Sequence, residues 1–118
     1  MRLSVSIQTE DFDVSHELAQ LRLNDPRVGA VCSFVGTVRE RNEGSDVSSM
    51  ELEHYPGMTE KSITAMMEEA AKRFDIFGAR VIHRIGLLQP QDQIVLVAVT
   101  SAHRGMSFQA CEFLMDYL

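Results

Sequence analysis

The stretch IVLVAVTSAHRGMSFQACEFLMDYL, residues 94–118, decides how this chain is read. Its first six residues, Ile94 to Val99, are apolar without alternation, so they read as a strand covered on both faces. Polar residues begin at Thr100, and residues 106–118 read as a helix with Phe108, Cys111, Met115 and Leu118 along one apolar stripe. A polar set at the carboxyl end of a buried strand, leading into a helix, is a common ligand position. The helix start adds free backbone N–H groups and the positive end of its dipole. His103 and Arg104 stand at that point, and together they favour a phosphate or a carboxylate.

Working outward, the clearest helix lies in TEKSITAMMEEAAKRF, residues 59–74. Ile63, Met66, Met67, Ala70, Ala71 and Phe74 recur at helical spacing, Thr59 can cap the start, and Gly78 closes the segment. DVSHELAQLRL, residues 13–23, reads as a shorter helix capped by Asp13 or Ser15. Strands are expected at residues 3–7, 28–38, 48–55, 79–86 and 93–101, with a turn at LLQPQDQ, residues 87–93. In the 48–55 strand, Met50, Leu52 and His54 should share one face. Gly29 and Gly36 mark bulges or close backbone approach. The order β-α-β-β-α-β-β-α predicts an α+β fold over residues 1–118, a single domain with helices packed on a mixed sheet.

A chain of 118 residues with 45% hydrophobic and 24% charged residues is ordinary for one globular domain. No apolar run approaches the roughly 20 residues of a membrane helix, and the N-terminus has no apolar secretory core, so a cytoplasmic location is expected. Net charge is −6, with 17 acidic against 11 basic residues, which argues against duplex nucleic acid as a partner. The basic residues are nevertheless grouped, at Arg39–Arg41, His83–Arg84 and His103–Arg104, a distribution that suits a small anionic ligand.

FVGTVRERN, residues 34–42, repeats the pattern of an apolar strand ending in arginine, whose planar fork matches phosphate oxygens. Taken singly, each cationic strand end reads more readily as exposed charge in a solvated loop. The histidines show no metal spacing; His54 and His83 read as strand packing or hydrogen-bonded core groups. The two cysteines, Cys32 and Cys111, sit among apolar neighbours and read as buried, unreactive thiols.

Five stretches, FVGTVRERN, LEHYPGMTEK, VIHRIG, VTSAHR and FLMDYL, occur in an order and spacing that resemble the large, catalytic subunit family of molybdopterin synthase. The resemblance runs from about Val28 to Leu118. It implies an α/β-hammerhead fold and a sulfur transfer in molybdenum cofactor biosynthesis that converts cyclic pyranopterin monophosphate to molybdopterin. The sulfur donor it implies is a thiocarboxylate on the Gly-Gly end of a small ubiquitin-like subunit. The assembly it implies is a homodimer inside an α2β2 heterotetramer, with no cofactor, metal, nucleic acid or membrane. By the same resemblance Thr37, Val38, Arg39, His103 and Arg104 contact substrate, His103 and Arg104 support catalysis, and Phe34 and Met115 line the pocket or tail channel. EHYPGM, residues 53–58, is read as mainly structural. The family's catalytic lysines would fall after Leu118, so a further C-terminal tail is expected. A chain ending there would instead be a non-catalytic, dimeric binding module.

Overall fold

The computed structural model describes residues 1–40, 50–52 and 58–118. Along the chain run β1 (Arg2–Gln8), α1 (Val14–Leu21), β2 (Ala30–Thr37), β3 (Met50–Leu52), α2 (Met58–Arg73), β4 (Gly78–Arg84), β5 (Gly86–Leu88), β6 (Gln93–Ser101) and α3 (Arg104–Met115). The main sheet has the order β1-β4-β6-β2, and β3 pairs with β5 in a second, two-stranded sheet. β1 is parallel to β4, while β6 is antiparallel to both β4 and β2, so the sheet is mixed as expected.

β6 sits between two strands, and Leu96, Val97, Ala98 and Val99 are fully buried, as the unbroken apolar run requires. Alternation then divides its side chains between two layers. On one face Val97 and Val99 join Ala79 and Val81 of β4 against α2 (Ile63, Met67, Ala70) and α3 (Ala110, Cys111, Leu114). On the other, Leu96 and Ile82 pack with Phe12, just ahead of α1. The apolar set expected on α2 is the set that reaches the core or packs against it, with Ala71 part-buried beside it.

Four local expectations change. Residues 87–88 belong to β5 and not to a turn, because Leu88 is buried and paired opposite Met50. Thr59 lies inside α2 and is not its cap, and Gly78 opens β4 instead of closing the helix. The buried face of α3 is Ser107, Ala110, Cys111 and Leu114, whereas Phe108 is 57% and Leu118 42% exposed. Small residues let α3 lie close to the sheet, and the large Phe108 is one position off that face. Only residues 50–52 of the strand expected at 48–55 are described, so its facial pattern and His54 lie outside the described residues.

The cap of α1 is Asp13, whose Oδ1 accepts from the His16 amide at 3.1 Å. Arg2 closes the other end of that helix by donating to the carbonyls of Gln20, Leu21 and Leu23. Both glycine readings hold. A Cβ on Gly29 would stand 2.3 Å from the Ala102 carbonyl oxygen, and at Gly36 the β2–β6 register shifts. Gly29→Ala is therefore expected to destabilise the fold by about 1–3 kcal/mol, since a backbone oxygen cannot step aside as a side chain can. A thermal melt checks it, and an unchanged Tm would mean that the β2 start and the residue 102 segment separate freely.

Cys111 is buried beside Cys32, and loss of solvation, aided by that neighbour, pushes its thiol up to about 12. The raised value means its protonated form contributes fully at neutral pH, with the contribution lost only as pH rises from the ordinary thiol range toward that value. Iodoacetamide at pH 8 is expected to leave Cys111 unmodified in the native protein and to label it in urea, as read by peptide mass spectrometry. Rapid native labelling would contradict the buried, unreactive reading.

Candidate functional site: two cationic strand ends

β6 delivers His103 and Arg104 to the start of α3. His103 occupies the N-cap position with extended backbone (φ −128, ψ 148), and its ring makes no capping bond. The local backbone is held from below: the Ser101 hydroxyl donates to the His103 carbonyl at 2.6 Å and the Ser107 hydroxyl to that of Arg104 at 2.9 Å. The Gly29 amide also donates to the Ser101 carbonyl at 3.0 Å. Buried serines thus fix the main chain while both cationic side chains stand exposed.

β2 delivers Thr37, Val38 and Arg39 to the opposite end of the sheet. Thr37 is exposed, Val38 is buried, and Arg39 is again exposed just beyond it. Val38 is held on both sides of its peptide plane, donating to the Asp92 carbonyl at 2.9 Å and accepting from the Gln91 amide at 2.8 Å. The turn that does this has Gln91 at φ 78, and the Asp92 carboxylate closes it by accepting from the Gln89 amide at 2.8 Å. Gln93, next in line, donates from Nε2 to Asp11 Oδ1 at 2.8 Å and to the Phe12 carbonyl at 2.9 Å. That bond, with the Phe12 amide and the nearby Arg84 guanidinium, holds the Asp11 carboxyl below the usual carboxylate range.

Among the described residues, most of the remaining arginines have partners, exposed Arg22 being an exception. Arg84 donates to the carbonyls of Thr9 and Gln93, Arg80 to Glu17 at 2.9 Å, Arg27 to Asp25 at 2.8 Å and Arg73 to Glu69 at 2.8 Å. Asp25, bonded to Arg27, is held down at about 2. The His83–Arg84 pair is thus structural, with His83 Nδ1 2.9 Å from its neighbour's carbonyl oxygen. Among the described residues, the side chains of Arg39, His103 and Arg104 have no hydrogen-bond or ion-pair partner. Arg41 lies outside the described residues.

The two cationic ends do not meet within one chain. The register runs from Ala30 opposite Ser101 to Thr37 opposite Gln93. At about 3.3 Å per residue, the strand between them is roughly 25 Å long. One phosphate needs donor contacts of about 2.7–2.9 Å and cannot bridge that span. Phe34 lies near the middle of β2, opposite Val97, and Met115 ends α3. α3 returns along β2 from Arg104, so Met115 comes last, on the helix face that carries Cys111. Phe34 is two residues beyond Cys32 on the sheet face that packs toward that helix, and it stays 38% exposed. A separate apolar cavity of about 320 Å³ between α2 and α3 includes Met66, Leu114, Tyr117 and Leu118 in its wall, but neither Phe34 nor Met115. Among the described residues no His, Cys, Asp and Glu cluster could hold a metal ion.

Sequence reasoning missed the Gln89–Asp92 turn as anything more than a connection. The signal for its closure was the Asp three positions after Gln89, a side chain able to accept a turn amide.

The fold is a single α+β domain with two exposed cationic strand ends, and comparison with known proteins places it among known families. The model of the MoaE protein family matches residues 7–118. A molybdopterin synthase catalytic subunit of Ralstonia nicotianae is 58% identical over 115 residues, covering 98% of this chain and 65% of that protein. A solved molybdopterin cofactor biosynthesis protein E from Burkholderia multivorans is 48% identical with TM-score 0.88, covering 99% of this chain and 76% of that one. Molybdopterin synthase from Staphylococcus aureus is 31% identical with TM-score 0.86, over 94% and 80% of the two chains. The chain belongs to the MoaE family, and the curated relatives it matches are named molybdopterin synthase catalytic subunits. It spans about two thirds to four fifths of the length of these relatives.

Proposed function

We propose that this chain acts in molybdopterin synthase as the subunit that binds cyclic pyranopterin monophosphate while two dithiolene sulfurs are installed. The thiocarboxylated C-terminus of a small ubiquitin-like subunit is the sulfur donor in this reading. One observation carries it: two exposed cationic strand ends are left without protein partners in an otherwise acidic chain whose other sheet arginines are engaged. Arg39 supplies a bidentate fork for phosphate, and His103 and Arg104 supply a second cationic contact at a helix start.

Because these ends lie roughly 25 Å apart in one chain, a single site that uses both takes Arg39 from one copy and His103–Arg104 from another. A homodimer therefore belongs to the mechanism and not only to the assembly. Phe34 and Met115 line the approach of the donor tail. Residues 1–118 act as one domain, and the lysines that the family resemblance implies would follow α3 in the chain. Among the described residues no helix is long and apolar enough to cross a membrane. A cytoplasmic enzyme, with its pterin substrate and protein partner in the same compartment, fits that surface.

Arg39→Ala is expected to weaken binding of cyclic pyranopterin monophosphate about 10- to 100-fold, the loss of one charge-assisted contact. Isothermal titration checks it against a melt of the same variant. Unchanged affinity in a folded variant would remove Arg39 from the site.

A further inference from the structure

We infer that Asp92 is a positioning residue for Arg39, acting through the turn that clamps Val38. The inference rests on the proposed substrate role of Arg39 and extends it to a residue that touches no substrate. Arg39 leaves the sheet one residue after Val38, and both hydrogen-bonding groups of the Val38 backbone are taken by the 89–92 turn, at 2.9 Å from Asp92 and 2.8 Å from Gln91. The β2–β6 register has already slipped between Gly36 and Thr37, so ladder pairing alone no longer sets the direction of the strand. The turn sets it instead.

That turn holds an unfavourable backbone. Gln91 is a non-glycine residue at φ 78, a conformation that persists only where its surroundings impose it. Two contacts do so: the Asp92 carboxylate accepting the Gln89 amide at 2.8 Å, and the Asp92 amide donating to the Gln89 carbonyl at 3.0 Å. Only the first depends on the side chain. Its removal frees Gln91 to relax, loosens the Val38 bonds and lets the Arg39 guanidinium wander from its phosphate-facing position. The hydrophobic core is untouched, because Val38 remains seated by its own burial. Small displacements of a positioning group are costly for binding out of proportion to their effect on folding.

The test uses the full protein with its small-subunit partner and cyclic pyranopterin monophosphate. Asp92→Ala is expected to weaken substrate binding about 3- to 10-fold and to speed amide exchange at Val38 and Gln91. Asp92→Asn keeps an acceptor oxygen for the Gln89 amide and should restore both readings. The decisive comparison is a double-mutant cycle: if Asp92 acts through Arg39, Asp92→Ala adds nothing to the loss already caused by Arg39→Ala. Additive losses, or wild-type affinity in Asp92→Ala with fast Val38 exchange, would overturn the inference. If Arg39→Ala alone leaves affinity intact while Asp92→Ala lowers it, the positioning role is overturned as well. If Arg39→Ala alone shows the loss and Asp92→Ala does not, the proposed site stands and only this inference falls. Should Asp92→Ala fail to fold, the cycle is run with Asp92→Ser, whose shorter hydroxyl reaches the Gln89 amide poorly, and the same additivity decides.

Discussion

A polypeptide of residues 1–118 is expected to fold, to bind cyclic pyranopterin monophosphate and to make no molybdopterin. Folding follows from where the core lies: Ile63, Met67 and Ala70 of α2, Val97 and Val99 of β6, and Ala110, Cys111 and Leu114 of α3 pack together inside these residues. Each large apolar side chain buried there contributes roughly 1.5–3 kcal/mol. The missing activity follows from the chemistry of the cations present. Arginine stays protonated and transfers protons poorly, whereas lysine can shift its pKa and act as base or nucleophile. The sequence has lysine only at positions 61 and 72, and both are exposed on α2. Neither is on the strand ends that carry Arg39, His103 and Arg104. Extending the polypeptide with the lysine-bearing C-terminal segment that the family resemblance implies is expected to restore turnover. Dithiolene product measured with precursor and thiocarboxylated partner compares the two. Equal turnover would mean that the chemistry belongs to residues 1–118 themselves.

In the polypeptide extended with the lysine-bearing segment, Arg104→Ala is expected to lower sulfur insertion about 10- to 100-fold while leaving the melting temperature close to that of the parent. The separation of the two effects is built into the site. The Arg104 guanidinium has no protein partner among the described residues, and the backbone beneath it is held by Ser101 and Ser107, which the substitution leaves in place. Alanine is also a good residue for the first turn of a helix, so α3 loses nothing locally. His103→Ala should act in the same direction, since the His103 ring makes no capping bond that folding would miss. Activity and melting curves of both variants check this. A large fall in Tm with normal specific activity would make the pair structural.

Much of the fold could be read from periodicity. The α2 stripe and the β6 run were each legible because burial imposed a pattern on consecutive residues. The α3 face was read correctly at Cys111 but missed at Leu114 and at Ser107 and Ala110, the last two being small residues that a search for large apolar side chains passes over. The cationic strand ends were legible as residue types, and their lack of protein partners agrees with that reading. Their separation was not legible, because it depends on β2 and β6 pairing antiparallel along their whole length, a long-range fact with no local signature. The same holds for Asp92: a turn can be read from QPQDQ, but not that its two backbone bonds fall on Val38, more than fifty residues earlier. Arg84 shows the converse, a cation that looked like His103–Arg104 in sequence and proved to be committed to the carbonyls of Thr9 and Gln93.

The central claim is that Arg39 of one copy and Arg104 of another complete one site. Subunit mixing tests it most directly. Arg39→Ala chains and Arg104→Ala chains, both extended with the lysine-bearing C-terminal segment and each nearly inactive alone, are refolded together with the small partner and assayed for molybdopterin. In a mixed dimer one site receives both substitutions and the other receives neither. Random pairing makes half the dimers mixed, so activity should recover to about a quarter of the wild-type value. No recovery, in dimers shown by an affinity tag carried on one of the two variants to have mixed, would place both arginines in the site of a single chain and contradict the account.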